Sequence, residues 1–179
     1  MHDWNIVVTI HQGHYHEARR FLETFGRLSQ TDYFNVLVLK VDDLGKFLED
    51  MDREFKMAPT MNHLISRVMP ATVTFDFQKP AEFEAQVRRA VDPWVPQLAG
   101  GSFHVRMHRR GFKDRLSSQN EERFLDHFLQ EKLSALGVTS RISFDDPDNI
   151  INIETVGQRA GVTLWTREQR LRYPFLKLD

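Results

Sequence analysis

The chain has 179 residues, of which 41% are hydrophobic and 14 are Phe, enough apolar material for a packed core and too much for wholesale disorder. Its 24 basic and 25 acidic side chains give a formal net charge of -1, so attraction to a polyanion has to come from local separation of charge. The absence of cysteine excludes disulfides, thiolate metal sites and cysteine nucleophiles. The opening MHDWNIVVTI has no basic leader followed by a long apolar run, and no stretch of ~18 apolar residues occurs. A cytoplasmic protein without a membrane partner is the expectation.

Trp4, Ile6, Val8 and Ile10 alternate with Asn5, Val7 and Thr9, the pattern of a strand. In the following HQGHYH, His11, His14 and His16, with His2 nearby, are the best metal-ligand candidates in the chain. No acidic ligand at a characteristic interval accompanies them, and no metal is expected. From His14 to Leu28 the spacing of Ala18, Phe21, Leu22, Phe25 and Leu28 predicts a helix. Tyr33 to Val41 is nearly continuous in apolar and β-branched residues, as in a central strand. Asp42 or Asp43 can cap a helix whose stripe is Leu44, Phe47, Leu48, Met51 and Phe55. A third strand is expected within Val68 to Phe77, with Pro70 favouring an edge or bend. The order strand, helix, strand, helix, strand suggests a small ferredoxin-like sandwich over residues 1–78.

Phe83, Val87, Ala90 and Val91 begin a second helical run, with Pro93 opening a short further helix before Gly100-Gly101. Phe103, Val105 and Met107 then alternate with His104, Arg106 and His108. Arg109, Arg110, Lys113 and Arg115 follow, with Asp114 the one acid among them. Arg109 and Arg110 come after the alternating core positions and are expected to face water. Ser118 and Glu121 have capping-box spacing ahead of the stripe Phe124, Leu125, Phe128, Leu129, Leu133 and Leu136, which Gly137 ends. Arg141 to Phe144 and Ile150 to Val156 have the spacing of an antiparallel hairpin around a Pro-containing turn. Gly161 to Trp165 predicts one more strand, and Thr166 with Gln169 another capping box.

No GxGxxG, GxxxxGK[ST] or GxSxG occurs, so no dinucleotide fingerprint, P-loop or nucleophile elbow is indicated, and no cofactor is expected. Asp145, Asp146 and Asp148 read as a solvated turn. His104 and His108, four apart on one strand face, are more than ~10 Å from one another, too far to share a proton. Catalysis by this chain alone is not expected.

Phe103-His104-Val105-Arg106 with Arg109-Arg110-Gly111, then Ser117-Ser118 and a helix, then Pro147-Asp148-Asn149-Ile150-Ile151-Asn152-Ile153-Glu154, resembles the THUMP domain. That family is an RNA-binding module of tRNA-modifying systems, often preceded by a ferredoxin-like domain. The resemblance implies an α+β protein, an N-terminal ferredoxin-like domain (1–78) followed by a THUMP-like α/β domain (79–179). It implies contacts to tRNA or another structured RNA through Arg106, Arg109, Arg110, Lys113 and Arg115. Arg159, Arg167, Arg170, Arg172 and Lys177 are expected either to extend the basic surface or to balance the acidic helix after Asp42. THUMP enzymes carry a separate catalytic domain, and none is expected after Asp179. The adaptor branch, which works with a separate tRNA-modifying enzyme, is therefore the expected match. The competing readings are a protein-interaction module without RNA affinity and a small metal-dependent enzyme at the histidine-rich turn.

Overall fold

The computed structural model describes residues 3–178, which divide into two compact units. The first comprises the chain up to Thr72 together with Arg172–Lys177, and the second is chiefly Val73–Leu171.

In the first unit the elements are β1 (Ile6–Ile10), α1 (Tyr15–Leu22), β2 (Arg27–Gln30), β3 (Val36–Lys40), α2 (Leu44–Met57), the one-turn α3 (Met61–Leu64) and β4 (Ile65–Pro70). The four strands pair antiparallel throughout in the order β2-β3-β1-β4. All apolar residues of the two central strands are buried, which explains the unbroken apolar run of β3. Asn5 extends the β1–β3 ladder with its side chain, donating to Val41 O at 2.9 Å and accepting from Val41 N at 3.0 Å. Asp43 is the cap of α2, accepting from Lys46 N at 2.9 Å.

Helix α1 ends at Leu22, where a helix to Leu28 was expected, and Arg27–Gln30 is an edge strand. Thr24 turns its hydroxyl onto Phe21 O at 2.7 Å, an alternative to continuing the helix. Gly26 then lets the chain pass against β3: a Cβ there would lie 2.3 Å from Lys40 O. The expected third strand is also divided. Ile65–Pro70 belongs to the first sheet, whereas β5 (Val73–Asp76) pairs with a strand of the second. Pro70 has no N–H with which to continue a ladder.

The second unit continues with α4 (Pro80–Val91), a 3-10 turn (Asp92–Trp94), α5 (Val95–Leu98), β6 (Ser102–Arg110), α6 (Ser118–Ala135), β7 (Arg141–Ile142), β8 (Asn149–Val156), β9 (Arg159–Thr166) and α7 (Arg167–Arg172). Its sheet has the order β5-β9-β8-β6-β7. Phe103, Val105, Met107, Ile151, Ile153, Ala160 and Val162 share one face and pack with Phe83, Val87, Leu98, Leu125, Leu129 and Leu133 of α4, α5 and α6. The segments expected as a hairpin, Arg141–Phe144 and Ile150–Val156, do not pair. β7 and β8 flank β6, each parallel to it. The hairpin of this unit is β8–β9, closed by Gly157 in the left-handed region (φ 60°).

β7 accompanies β6 only at Ser102 and Phe103. Beyond that point α6 serves the outer edge of β6: Glu122 accepts from Met107 N at 2.7 Å and Asp126 accepts from Val105 N. Four residues of helix rise about 6 Å, close to the ~6.7 Å between alternate strand amides, so carboxylates four apart on α6 reach N–H groups two apart on β6. Among the described residues no helix is long and apolar enough to cross a membrane.

Candidate nucleic-acid interface

The sequence-contiguous cations are separated by strand alternation. Arg109 is on the same side of β6 as Val105 and Met107, toward α6, whereas Arg106, His108 and Arg110 are on the other. There Arg110 meets the Glu154 carboxylate at 2.5 Å, with its side chain only 15% exposed and that of Glu154 1%. His108 Nδ1 is 3.3 Å from the same carboxylate and Asn152 Nδ2 donates to it at 3.4 Å. The expectation that Arg110 faces water is thus corrected: β8 places a buried carboxylate beside it, in the register His108 with Glu154. Arg106 is half-buried and makes no ion pair among the described residues.

Between β6 and α6 the loop Gly111–Ser117 is held at two points. Leu116 is buried in the core, and Phe112 packs its ring 4.9 Å from that of Phe77. Gly111, Phe112 and Asp114 all have positive φ (99°, 53° and 65°), two of them non-glycine residues in a conformation that costs free energy. The result is a fixed projection: Phe112 anchors the loop, and Lys113, Asp114 and Arg115 are exposed. Arg115 stacks its guanidinium 4.8 Å from the Phe112 ring centroid and donates to Gln78 O at 3.4 Å. The cap of α6 is Ser117, one residue before the expected Ser118, accepting from Asn120 N at 3.4 Å.

A groove of about 730 Å³ lies over this junction, lined by Arg109, Lys113, Asp114, Arg115, the first turn of α6, Glu84 and Glu121. Arg109, Lys113 and Arg115 make no ion pair there among the described residues; Arg109 donates to Gly111 O. Three guanidinium or ammonium groups and the positive end of an 18-residue helix therefore converge on one concavity. Glu121 is only 6% exposed, and burial, with Glu84 second, pushes its carboxyl up to about 7. Burial, with Glu122 second, pushes Asp126 up to about 7 as well. Neither carboxyl was singled out as titratable by sequence reasoning, because burial of a helix position is invisible without its partners. Arg88 of α4 was also missed; it lies 4.5 Å over the Phe124 ring and 5.7 Å from that of Phe128.

The C-terminal arginines are occupied. Arg159 meets Asp76 at 2.9 Å and Thr74 Oγ1 at 2.8 Å. Arg167 meets Asp148 at 2.7 Å and Asp146 at 3.0 Å, and Arg170 is 3.5 Å from Asp146 and donates to Pro147 O. Arg172 lies 2.6 Å from Glu49, which also accepts from Tyr173 OH at 2.8 Å. Asp148 is held below the usual carboxylate range by the backbone N–H and hydroxyl of Ser102, and by Arg167. The acidic turn is exposed at Asp145 and Asp146, as expected of a solvated turn, and is tied to β6 and α7 through Asp148 and Asp146. Thr166 and Gln169 form a reciprocal capping box at the start of α7 (3.0 and 3.2 Å). At the histidine-rich turn His14 Nδ1 is 3.3 Å from Glu17, and His2 lies outside the described residues. No group of three or more His, Cys, Asp or Glu among the described residues is arranged to hold a metal ion.

No protein-family profile matches the chain, and no curated protein matches it in sequence. Solved structures do. The chain superimposes on PH1313 from Pyrococcus horikoshii Ot3 with a TM-score of 0.56 at 12% identity, over 90% of this chain and 54% of that one. It superimposes on TrmN from Thermus thermophilus with a TM-score of 0.58 at 18% identity, over 89% of this chain and 44% of that one. A 4-thiouridine synthetase, solved as an RNA complex with bound ATP, gives 0.58 at 10% identity, over 91% of this chain and 41% of that one. The likeness is one of fold, and the chain spans about half the length of the structures it matches or less.

Proposed function

We propose that the chain is a THUMP-type RNA-binding protein that takes the phosphates of folded RNA, tRNA in the first place, into the groove between β6 and α6. The observation that carries this reading is the convergence of Arg109, Lys113 and Arg115, free of carboxylate partners among the described residues, on the N-terminus of α6. Guanidinium groups and helix-terminal amides match phosphate oxygens in charge and geometry. The fold likeness to a synthetase solved with RNA supports it, as does the motif order from Phe103 to Glu154. The βαββαβ order of the first unit and its antiparallel sheet β2-β3-β1-β4 support a ferredoxin-like reading of that unit. In this proposal the chain is a cytoplasmic, non-catalytic adaptor that presents RNA to a separate modification enzyme. Arg106 contributes from the other sheet face, while Arg110, Arg159, Arg167, Arg170 and Arg172 serve chiefly to hold the fold.

Those five arginines, each lying against a carboxylate, favour a second reading, a protein-interaction module of the same fold without RNA affinity. One experiment separates the two. Affinity for a folded tRNA transcript is measured over a salt series for the parent and for Arg109→Ala, Lys113→Ala and Arg115→Ala, singly and combined. Each substitution should weaken binding roughly five- to tenfold near ~0.1 M salt and lower the slope of log affinity against log salt by somewhat less than one. An unstructured RNA of equal length should bind more weakly, since no row of exposed aromatics among the described residues offers bases a stacking platform. Affinity and slope unchanged in the triple variant would remove the groove from consideration, and no binding at all would leave the interaction-module reading.

A further inference from the structure

Glu121 is an odd residue to find lining a cationic groove. The residue is 6% exposed, and its Oε2 is buried with no hydrogen-bond partner among the described residues. An unpaired buried carboxylate is costly, and one beside a bound phosphate costlier still. A carboxylic acid has the opposite character, since its O–H donates to a phosphate oxygen.

Resting on the RNA-binding reading above, we propose that Glu121 is a proton-linked donor in the groove: the bound phosphate accepts a hydrogen bond from its acid form, so RNA binding takes up one proton at this residue. The charged groups that line the groove with Glu121 come from every element around it. α4 contributes Glu84, which opposes ionisation of the Glu121 carboxyl; β6 contributes Arg109, and the loop Lys113, Asp114 and Arg115. Glu122 is its neighbour on α6, committed to Met107 N. Burial and Glu84 prevail, leaving the free protein's carboxyl near 7, where a small change in its surroundings decides its state. An arriving phosphate adds negative charge and a hydrogen-bond acceptor, both of which favour the acid.

Linkage then fixes the sign. Affinity is at its plateau below the free-state midpoint of about 7 and falls as pH rises through the interval up to the higher bound-state midpoint. Binding of a folded tRNA transcript by the full chain should weaken about five- to tenfold from pH 6.5 to 8.5. Glu121→Gln, whose amide is a permanent donor, should bind as tightly at pH 8.5 as the parent does at 6.5. Glu84→Gln should keep the fall but move it to lower pH. The Glu121→Gln profile supplies the background to be subtracted. Carboxyl NMR of Glu121 in the full parent chain is the second readout: its midpoint should move upward on adding the transcript. The same pH profile in the parent and Glu121→Gln, or a Glu121 midpoint unmoved by bound RNA, would overturn the proposal while leaving RNA binding in place. If Glu121→Gln does not fold, the NMR titration decides alone. Absence of RNA binding at every pH would instead overturn the underlying function.

Discussion

Arg109 and Arg110 are adjacent in the chain yet differ in every physical respect, because a strand turns successive side chains to opposite faces. Arg109 lines an open groove. Arg110 neutralises a carboxylate with 1% exposure, and removing it would leave that charge without its closest cation. Arg110→Ala is therefore expected to cost roughly 2–4 kcal/mol in denaturant unfolding, the lower figure if His108 and Asn152 compensate. Arg109→Ala should stay within about 0.5 kcal/mol. Equal stability for the two variants would show that the Glu154 pair contributes little. The sequence supplied the cationic character of this stretch but not the pairing. The carboxylates lie 44 positions from Arg110 and 83 from Arg159, and only the registers of β6 with β8 and of β5 with β9 bring them together.

At the level of elements, periodicity was informative where one face is buried and the other is not. β6 and α6 follow their alternation and stripe, apart from His104, which is buried, and Leu136, which is exposed, and the α7 capping box closes as its spacing predicts. Periodicity was uninformative where pairing is the cause of structure: Arg27-Leu28-Ser29-Gln30 is polar and becomes a strand because β3 offers it a ladder. Likewise, nothing local divides β4 from β5 except Pro70, and the two belong to different sheets. Helix α6 carries a further consequence in its two raised carboxyls. Unfolded, Glu121 and Asp126 ionise near their ordinary values of 4.5 and 3.8; folded, both hold their protons to about pH 7. The native state then binds more protons than the unfolded one between about pH 4 and 7, so their contribution makes stability fall as pH rises through that window. Asp148, with its lowered carboxyl, acts in the opposite sense below that range. Melts across pH 4.5–8 should show Glu121→Gln and Asp126→Asn gaining on the parent toward neutral pH, together by on the order of 1–3 kcal/mol. A constant difference at all pH values would mean that neither group titrates in the window.

For the whole molecule, composition was a poor guide and topology a better one. A net charge of -1 conceals a groove with three cations that make no ion pair among the described residues, because most other arginines are spent on carboxylates. The segment order of the second unit follows the motif the sequence displays, while its mixed sheet, with β6 inserted between β7 and β8, needed coordinates to see. That insertion leaves β6 running several residues past the end of its short neighbour. A bare strand edge is a template on which a second copy of the chain can add its own strand, and repetition of that event makes insoluble fibrous material. Glu122 and Asp126 occupy the template's amides with side chains that cannot propagate it. Replacing both with Ala should therefore turn a dispersed protein into one that scatters light on standing at 37 °C, well before any loss of helix by circular dichroism. A double variant that stayed clear for as long as the parent would show that something other than these two carboxylates closes the edge. If it clouds, α6 has a second duty besides presenting its N-terminus to the groove: it is what keeps one molecule's sheet from becoming the next molecule's.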